Sequence, residues 1–238
     1  MASINTSKGI FKYRRKYIYD GMKPICKDQA LENLSIMTDI LNRTGLHWGP
    51  CWGTLLGMVR EHDFISWDED IDLYILSEDE ELFRTLLWEL KDAGFDLVRY
   101  ERRGLYSIMR KGEYIDFYVL EKIADNLRQT KGGSYLFEKY VQDTIPYDFK
   151  GVTLSIPREY DEYLTFQYGD WRTPVQFVNY EAGKLQILKA KVSIFIKNTL
   201  LPDRIYFNML KRHHLKDFEK FKQKCIKKGC PLSEDIHI

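Results

Sequence analysis

The chain has 238 residues, a formal net charge of +1, 44% hydrophobic and 14% aromatic residues, and four cysteines. This composition supports a buried core and excludes an intrinsically disordered chain. No apolar run reaches the roughly 18 residues of a membrane-spanning helix and the amino terminus lacks the apolar stretch of a signal peptide, so we expect a cytoplasmic protein with reduced thiols.

Hydrophobic residues recur with helical periodicity in some segments and alternate as in strands in others. The predicted helices are residues 28–44, a short helix ending at Arg60, 78–93, 158–168 and, in two pieces broken at Pro202, 184–228. The predicted strands are the front half of 47–57, then 71–75, 95–101, 105–110, 113–120 and 152–156. Residues 121–150, between the last two predicted strands, show no clear helical or strand periodicity apart from a loop at Gly132-Gly133. This order predicts an α+β (mixed α/β) fold, with a small mixed sheet flanked by helices.

Charge divides the chain near residue 183. Residues 1–183 carry 23 basic and 30 acidic side chains, whereas residues 184–228 carry 13 basic and three acidic ones. We therefore predict a folded domain over 1–183 and a basic helical segment over 184–238 packed on it. Basic residues interleaved with apolar ones suit an anionic membrane surface, and the alternative is a solvated basic face on packed helices. No recognition motif supports a nucleic-acid partner.

Three acidic residues stand out because they interrupt apolar strands. Asp70 and Asp72 alternate with Ile71 at the start of one strand, so their side chains point the same way about 6.6 Å apart. Asp116 lies inside another strand, where an unpaired charge is costly. If the two strands are neighbours, the three carboxylates meet, and their hard oxygen atoms favour Mg²⁺ or Mn²⁺. The alternative is a solvated acidic loop.

A glycine-containing turn, an Asp-x-Asp strand and a single acid on a later strand form the pattern of the nucleotidyltransferase-like superfamily. The longer strings 53–60 and 64–72, and the later 168–174, closely resemble the LicD family, which includes bacterial phosphocholine transferases and domains related to fukutin and fukutin-related protein. The resemblance covers about residues 28–180. It implies a nucleotidyltransferase-like core with Asp70, Asp72 and Asp116 as the catalytic and metal-binding residues.

The resemblance also implies a reaction. Enzymes of this kind move a phospho-substituent from a cytidine-nucleotide-activated donor to a sugar hydroxyl of a surface or capsular polysaccharide and release CMP. The transferred group is phosphocholine, phosphoglycerol, ribitol phosphate or a phosphonate such as aminoethylphosphonate, and the glycan acceptor can be lipid-linked. In that reaction Asp70 and Asp72 would hold Mg²⁺ against the donor diphosphate, while Asp116 would complete the site or accept the proton of the attacking hydroxyl.

Further residues are candidates for binding the donor or the acceptor. Most have a structural alternative: a tight turn for the glycines, an ion pair with Glu61 or Asp63 for Arg60, a solvated loop with strand-end caps for Asp68, core packing for the tryptophans and a helix C-terminal turn for Tyr168. The donor and phosphate candidates are Gly53, Thr54, Gly57, Arg60, Trp67 and Asp68; the substrate candidates are Tyr168, Trp171 and Arg172.

Three other functions fit parts of the pattern. A plain nucleotidyltransferase, which adds a nucleoside monophosphate to a small molecule or protein, needs only the Asp-x-Asp core. An inactive glycan-binding subunit of a capsule assembly complex would not need the acid triad. A sugar-nucleotide glycosyltransferase would need a glycine-rich donor site, which the sequence lacks. The Trp-Asp-Glu-Asp-Ile-Asp string favours the phospho-substituent transferase.

Overall fold

The computed structural model describes residues 1–16, 18, 23–130, 133–175, 184–230 and 232. Its strands are β1 Ala2–Thr6, β2 Gly9–Tyr13, β3 Trp48–Pro50, β4 Ile71–Leu76, β5 Asp96–Glu101, β6 Leu105–Arg110, β7 Glu113–Ala124, β8 Leu127–Thr130, β9 Tyr135–Phe137, β10 Thr144–Phe149 and β11 Val152–Pro157. Its helices are α1 Lys27–Asn42, α2 Trp52–Arg60, α3 Glu80–Asp92, α4 Lys139–Gln142, α5 Tyr160–Tyr168, α6 Lys184–Phe195 and α7 Asp203–Lys228.

A seven-stranded mixed sheet forms the centre of the fold. Five strands follow the order β3-β4-β7-β6-β5, and β8 and β9 extend the sheet from the far half of β7. The β4–β7 pair is parallel, and the other pairs are antiparallel. Two separate hairpins, β1–β2 and β10–β11, lie outside this sheet. The predicted α+β class, with a mixed sheet and flanking helices, is confirmed.

The two faces of the sheet carry different kinds of side chain, because successive side chains along a strand point to opposite faces. One face is apolar: Ile71, Leu73, Ile115 and Phe117 are buried there. From α3, Phe83 packs on Phe117 with ring centroids 4.6 Å apart. The opposite face carries the polar residues of the same strands and is the face on which the site forms.

Helix α7 contacts the rest of the chain along one stripe. Phe221 lies 4.8 Å from the Tyr135 ring and 5.8 Å from the Phe166 ring. The Tyr135 hydroxyl donates to the backbone carbonyl of His214. The Lys228 ammonium donates to the carbonyls of Thr165 and Phe166, at the end of α5. These contacts tie the basic helix to β9 and α5. The predicted domain boundary at residue 183 lies outside the described residues.

All four cysteines are free thiols, as predicted. In the described part of the chain, no helix is long and apolar enough to cross a membrane. Several elements were not predicted: the β1–β2 hairpin, β8 to β10 and α4. Strand β7 also continues to Ala124, four residues beyond its predicted end.

Candidate active site

Strands β4 and β7 bring the predicted carboxylates together. In their parallel register Asp72 lies directly opposite Asp116, so the two Cα atoms are about 5 Å apart and the side chains share a face. Asp70 lies just before β4 and two residues before Asp72, so its side chain points to the same face. The expectation that the two acid-bearing strands are neighbours is therefore correct. Asp116 is 2% exposed, whereas Asp70 and Asp72 are partly exposed at the open end of the strand.

The start of α2 holds the backbone of Asp72 on both sides. The Asp72 N–H donates to the Thr54 hydroxyl at 2.8 Å, and its carbonyl accepts from the Cys51 N–H at 3.1 Å. Thr54 is buried and so acts here as an anchor for a strand, not as a free hydroxyl facing the site. Tyr118 hydrogen-bonds the Asp72 carboxylate.

Two predicted glycines have separate steric roles. A Cβ at Gly53 would lie 2.5 Å from Asp68 Oδ2, so this glycine makes room for that carboxylate. A Cβ at Gly57 would lie 2.8 Å from the Asp63 carbonyl oxygen. Gly57 lies within α2 and lets the segment after the helix pack closely. The assignment of Gly57 to phosphate binding stays a prediction.

A row of polar residues crosses the sheet from the carboxylates. Asp72 pairs with Asp116, Asp116 with Ser107 on β6, and Ser107 with Arg99 on β5. Arg99 Nη2 donates to Asp116 Oδ2, and Arg99 Nε donates to the Ser107 hydroxyl at 2.7 Å. A further carboxylate, Glu101, lies 4.0 Å from Arg99 Nη1. Arg99 is therefore a fixed cation beside the innermost acid.

The carboxylates oppose one another electrostatically. Burial raises the pKa of Asp72 well above its usual range, and the charge of Asp116 raises it further. Burial, followed by the charge of Asp72, does the same to the pKa of Asp70. Burial also raises the pKa of Asp116, against the opposing effects of Arg99 and Ser107. A bound cation would relieve this repulsion, because it favours the ionised form of every carboxylate around it.

The donor set suits a hard divalent cation in its chemistry, and one buried atom is open for it. Asp116 Oδ1 has no hydrogen-bond partner, whereas Oδ2 is held by Arg99. Within the described ranges, however, no three His, Cys, Asp or Glu side chains are gathered closely enough to hold a metal ion. The register of β4 and β7 brings the backbones together, but the Asp116 carboxylate is turned towards β5. The predicted metal site therefore stays a prediction.

A cavity of about 250 Å³ adjoins the acids at Asp68. Six of the residues predicted to bind the donor or substrate line it: Gly53, Arg60, Trp67, Asp68, Tyr168 and Trp171. Although these residues are far apart in sequence, α2, the segment before β4 and the end of α5 bring them to one place. The cavity also includes Asp170 and Thr173, which the prediction did not include.

Two buried hydrogen-bond donors on the cavity wall have no partner. They are Arg60 Nε and Trp171 Nε1. The other Arg60 nitrogens bind Glu61 at 2.7 Å and the Trp171 carbonyl at 3.2 Å. The ion pair with Glu61 is the structural alternative considered for this arginine. An unpartnered buried donor costs free energy unless a ligand accepts its hydrogen bond, so this wall suits an acceptor-rich ligand.

Arg172 lies outside the cavity. Its guanidinium stacks on the Trp171 ring at 4.3 Å and pairs with Asp161. Arg99 and Tyr118 were not predicted as site residues, although they contact the candidate metal-binding residues Asp116 and Asp72. Their position could be recognised only from the strand register.

The family model for the LicD/FKTN/FKRP nucleotidyltransferase domain matches residues 47–159. Among known relatives, the uncharacterized protein RP689 of Rickettsia prowazekii is 25% identical over 164 residues, which are 66% of this chain and 59% of that protein. The mouse (Mus musculus) ribitol 5-phosphate transferase FKRP is 26% identical over 170 residues, 64% of this chain and 34% of that protein. The human (Homo sapiens) ribitol-5-phosphate transferase FKTN is 26% identical over 163 residues, 63% and 34% of the two chains. This chain thus spans only part of the length of these relatives.

Solved structures give weaker likenesses. ANT(2")-Ia in complex with adenylyl-2"-tobramycin is 12% identical with a TM-score of 0.44, over 82% of this chain and 99% of that one. A nucleotidyltransferase-like protein from Thermotoga maritima is 12% identical with a TM-score of 0.40, over 71% and 96%. The matched family domain contains Asp70, Asp72 and Asp116 together with the start of α2. Residues 47–159 thus match the LicD/FKTN/FKRP nucleotidyltransferase domain, and the chain is similar to proteins of that family.

Proposed function

We propose that this protein is a divalent-cation-dependent transferase. It moves a phospho-substituent from a cytidine-nucleotide-activated donor to a sugar hydroxyl of a surface or capsular polysaccharide and releases CMP. The family match supports this, because two named relatives are ribitol 5-phosphate transferases. Phosphocholine, phosphoglycerol, ribitol phosphate and aminoethylphosphonate are the candidate groups.

One observation carries the proposal: buried acceptors without hydrogen-bond partners occur among the acids, and buried donors without partners occur on cavity-lining residues. The acceptors are Asp116 Oδ1 and Glu69 Oε2, and the donors are Arg60 Nε and Trp171 Nε1. The first pair suits a cation and the second suits an anion or a carbonyl oxygen. A metal–diphosphate pair attached to a nucleotide has both characters.

The residues have separate roles in this scheme. Asp70, Asp72 and Asp116 would hold Mg²⁺ or Mn²⁺, which would supply charge neutralisation at the phosphorus oxygens. Thr54 and Tyr118 fix the position of Asp72. Because Arg99 occupies Asp116 Oδ2, only Oδ1 remains to meet a cation or a hydroxyl proton.

On the cavity side, Arg60 would donate to a phosphate or base oxygen. The Trp67 and Trp171 rings offer flat apolar surface for a base, or for a cationic group such as choline. The assay therefore compares donors that carry each of the four candidate phospho-groups.

The test incubates the full chain and Mg²⁺ with CDP-choline, CDP-glycerol, CDP-ribitol or a CMP-phosphonate, and with crude glycan acceptors. CMP release that requires the acceptor and Mg²⁺, with the phospho-group recovered on the glycan, supports the proposal. Recovery of a nucleoside monophosphate on an acceptor, with a different leaving group, would instead identify a plain nucleotidyltransferase. The Asp72→Asn variant controls for contaminating hydrolases.

We also propose that the carboxyl-terminal helices contact an anionic membrane from one side. An apolar stripe is exposed on α6 and the turn after it: Leu188, Val192, Phe195, Ile196 and Leu200. Lysines 189 and 197 accompany it and are exposed. An apolar stripe edged by lysines has the character of a helix that lies in the lipid interface. Such a contact would place the site beside lipid-linked glycan acceptors.

A further inference from the structure

We propose that Arg99 is a positioning residue that competes with the divalent cation for Asp116. In this view Arg99 neutralises Asp116 in the metal-free protein, and Asp116 exchanges the guanidinium for the cation when the site fills. The inference rests on the proposed metal dependence of the enzyme. To that metal dependence the inference adds an internal cation, the Arg99 guanidinium, which sets the affinity of the site for the metal.

The first support is the contrast between backbone and side chains. The β4–β7 register brings Asp72 and Asp116 side by side, yet the described side chains are not gathered around a metal position. The Asp116 carboxylate contacts Arg99 on β5, which lies two strands from β7 and three from β4. Arg99 therefore already occupies one oxygen of the third carboxylate, beside Asp72.

The second support is the way in which Arg99 is itself held. Its Nε donates to Ser107, and Glu101 lies beside its Nη1. When the Asp116 carboxylate releases the guanidinium, Arg99 keeps Ser107 and Glu101 as partners. The exchange therefore does not leave a buried arginine unpaired. Arg99 is 12% exposed and its charge stays near the site. There it would face the anionic donor, whose binding it would favour.

The third support is charge. Asp68, Glu69, Asp70, Asp72 and Asp116 crowd one end of the sheet, where their like charges repel one another. A buried carboxylate that loses its only cation is strongly destabilising. Arg99 supplies that cation before the metal does, which lets the domain fold without metal. The Arg99–Asp116 ion pair must then be broken when the metal binds. This cost lowers the affinity of the site for the metal.

The test compares Arg99→Met with Arg103→Met. Arg103 lies in the turn between β5 and β6 and binds Glu101 at 2.6 Å; it acts on Asp116 through its charge, without the hydrogen bond that Arg99 makes. Both variants remove one positive charge near the site, and only Arg99→Met frees Asp116. Mn²⁺ affinity is measured by calorimetry and by loss of the free-ion electron paramagnetic resonance signal. Melting temperature is measured in EDTA.

We expect Arg99→Met to bind Mn²⁺ about tenfold tighter or more, the scale of typical coupling between two sites. Its melting temperature in EDTA should fall by about 5–10 °C, because Asp116 is then unpaired. Arg103→Met should stay within about twofold of the wild-type affinity. Unchanged or weaker Mn²⁺ binding in Arg99→Met, with the wild type binding normally, overturns the competition and leaves the metal proposal standing. If neither protein binds Mn²⁺, both proposals fail.

A measurement on the wild-type protein covers the case in which Arg99→Met does not fold. The Arg99 Nε–H resonance, assigned with Arg99→Lys, is followed by nuclear magnetic resonance during titration with diamagnetic Mg²⁺. Competition predicts that this resonance shifts at saturation as Nη2 leaves Asp116. An unmoved Arg99 resonance at saturating Mg²⁺ contradicts the inference.

Discussion

Replacing Thr54 by valine tests whether the start of α2 anchors the metal-binding strand. Valine has the shape of threonine and nearly the same helix propensity, so the change removes little besides the hydroxyl that accepts from the Asp72 N–H at 2.8 Å. An unsatisfied buried N–H costs about 1–3 kcal/mol, and the added apolar surface returns at most about 1 kcal/mol. The net loss of about 1–2 kcal/mol should lower the melting temperature by roughly 2–8 °C.

The same change should act on catalysis through Asp72. If the first residues of β4 shift, the carboxylate moves relative to the donor, and kcat falls by about 10–100-fold. Thr54→Ser keeps the hydroxyl and is the control: it should retain most of kcat. The assays are thermal unfolding by circular dichroism and CMP release at saturating donor. A Thr54→Val protein that melts like the wild type and differs only in donor KM would refute the anchoring role and restore direct phosphate contact.

Three further predictions follow from other contacts. Asp70→Asn and Asp72→Asn should each abolish CMP release while melting no lower than the wild type, because a metal ligand is lost and like-charge repulsion is relieved; retained turnover at saturating Mg²⁺ would contradict the assignment. Arg128→Met should lose about 3 kcal/mol of stability at pH 7 by chemical denaturation, since Arg128 is 1% exposed and binds two carboxylates. Arg128 lowers the pKa of Glu78 to about 2, so the wild type should lose this part of its stability as pH falls from about 4.5 to about 2, and the variant should lack that loss. Full-length protein should sediment with anionic vesicles at low salt and less at high salt, and Leu188→Asp should weaken this; indifference to anionic vesicles would exclude the membrane contact.

Periodicity predicted the elements that build the centre of the sheet. The alternation around Asp72 and around Asp116 placed both acids on one face of their strands, and the register confirms that the strands are neighbours. These segments are readable because a buried apolar face repeats every second residue with little interruption. The segments that were missed are short. Strands β8 and β9 have four and three residues, too few to establish a period.

Arg99 could not have been predicted by the same reasoning. Leu97 pairs with Ile108, and Arg99 pairs with Ser107, so β5 contains a bulge between them. In a regular strand Leu97 and Arg99 would share a face. The bulge sends Leu97 to the apolar core and Arg99 to the site. Parity along the sequence therefore assigns Arg99 to the wrong face, and only the pairing register corrects it.

The cavity residues show a different limit of sequence reasoning. The sequence assigned Arg60 and Trp67 to donor binding and Trp171 to substrate binding, and the structure brings all three to one cavity. Their individual roles depend on single atoms: one Arg60 nitrogen is unpartnered while two others are engaged. Sequence gives the residue type at a site, whereas hydrogen-bond satisfaction is a property of atoms in three dimensions.

The site contrasts with the way the fold treats buried charge elsewhere. Arg128 is almost fully buried, and two carboxylates, Glu78 and Glu138, satisfy it from both sides. At the site Arg99 likewise contacts two acids, Asp116 and Glu101, but here Asp116 keeps one oxygen without a partner. A structural network has no reason to leave that oxygen unpaired, since the unmet hydrogen bond costs stability without return. A site that must accept a cation has such a reason, because the open oxygen can meet the ion while Arg99 still holds the other oxygen. The imbalance at Asp116 is therefore an argument for ligand binding that does not depend on the family match.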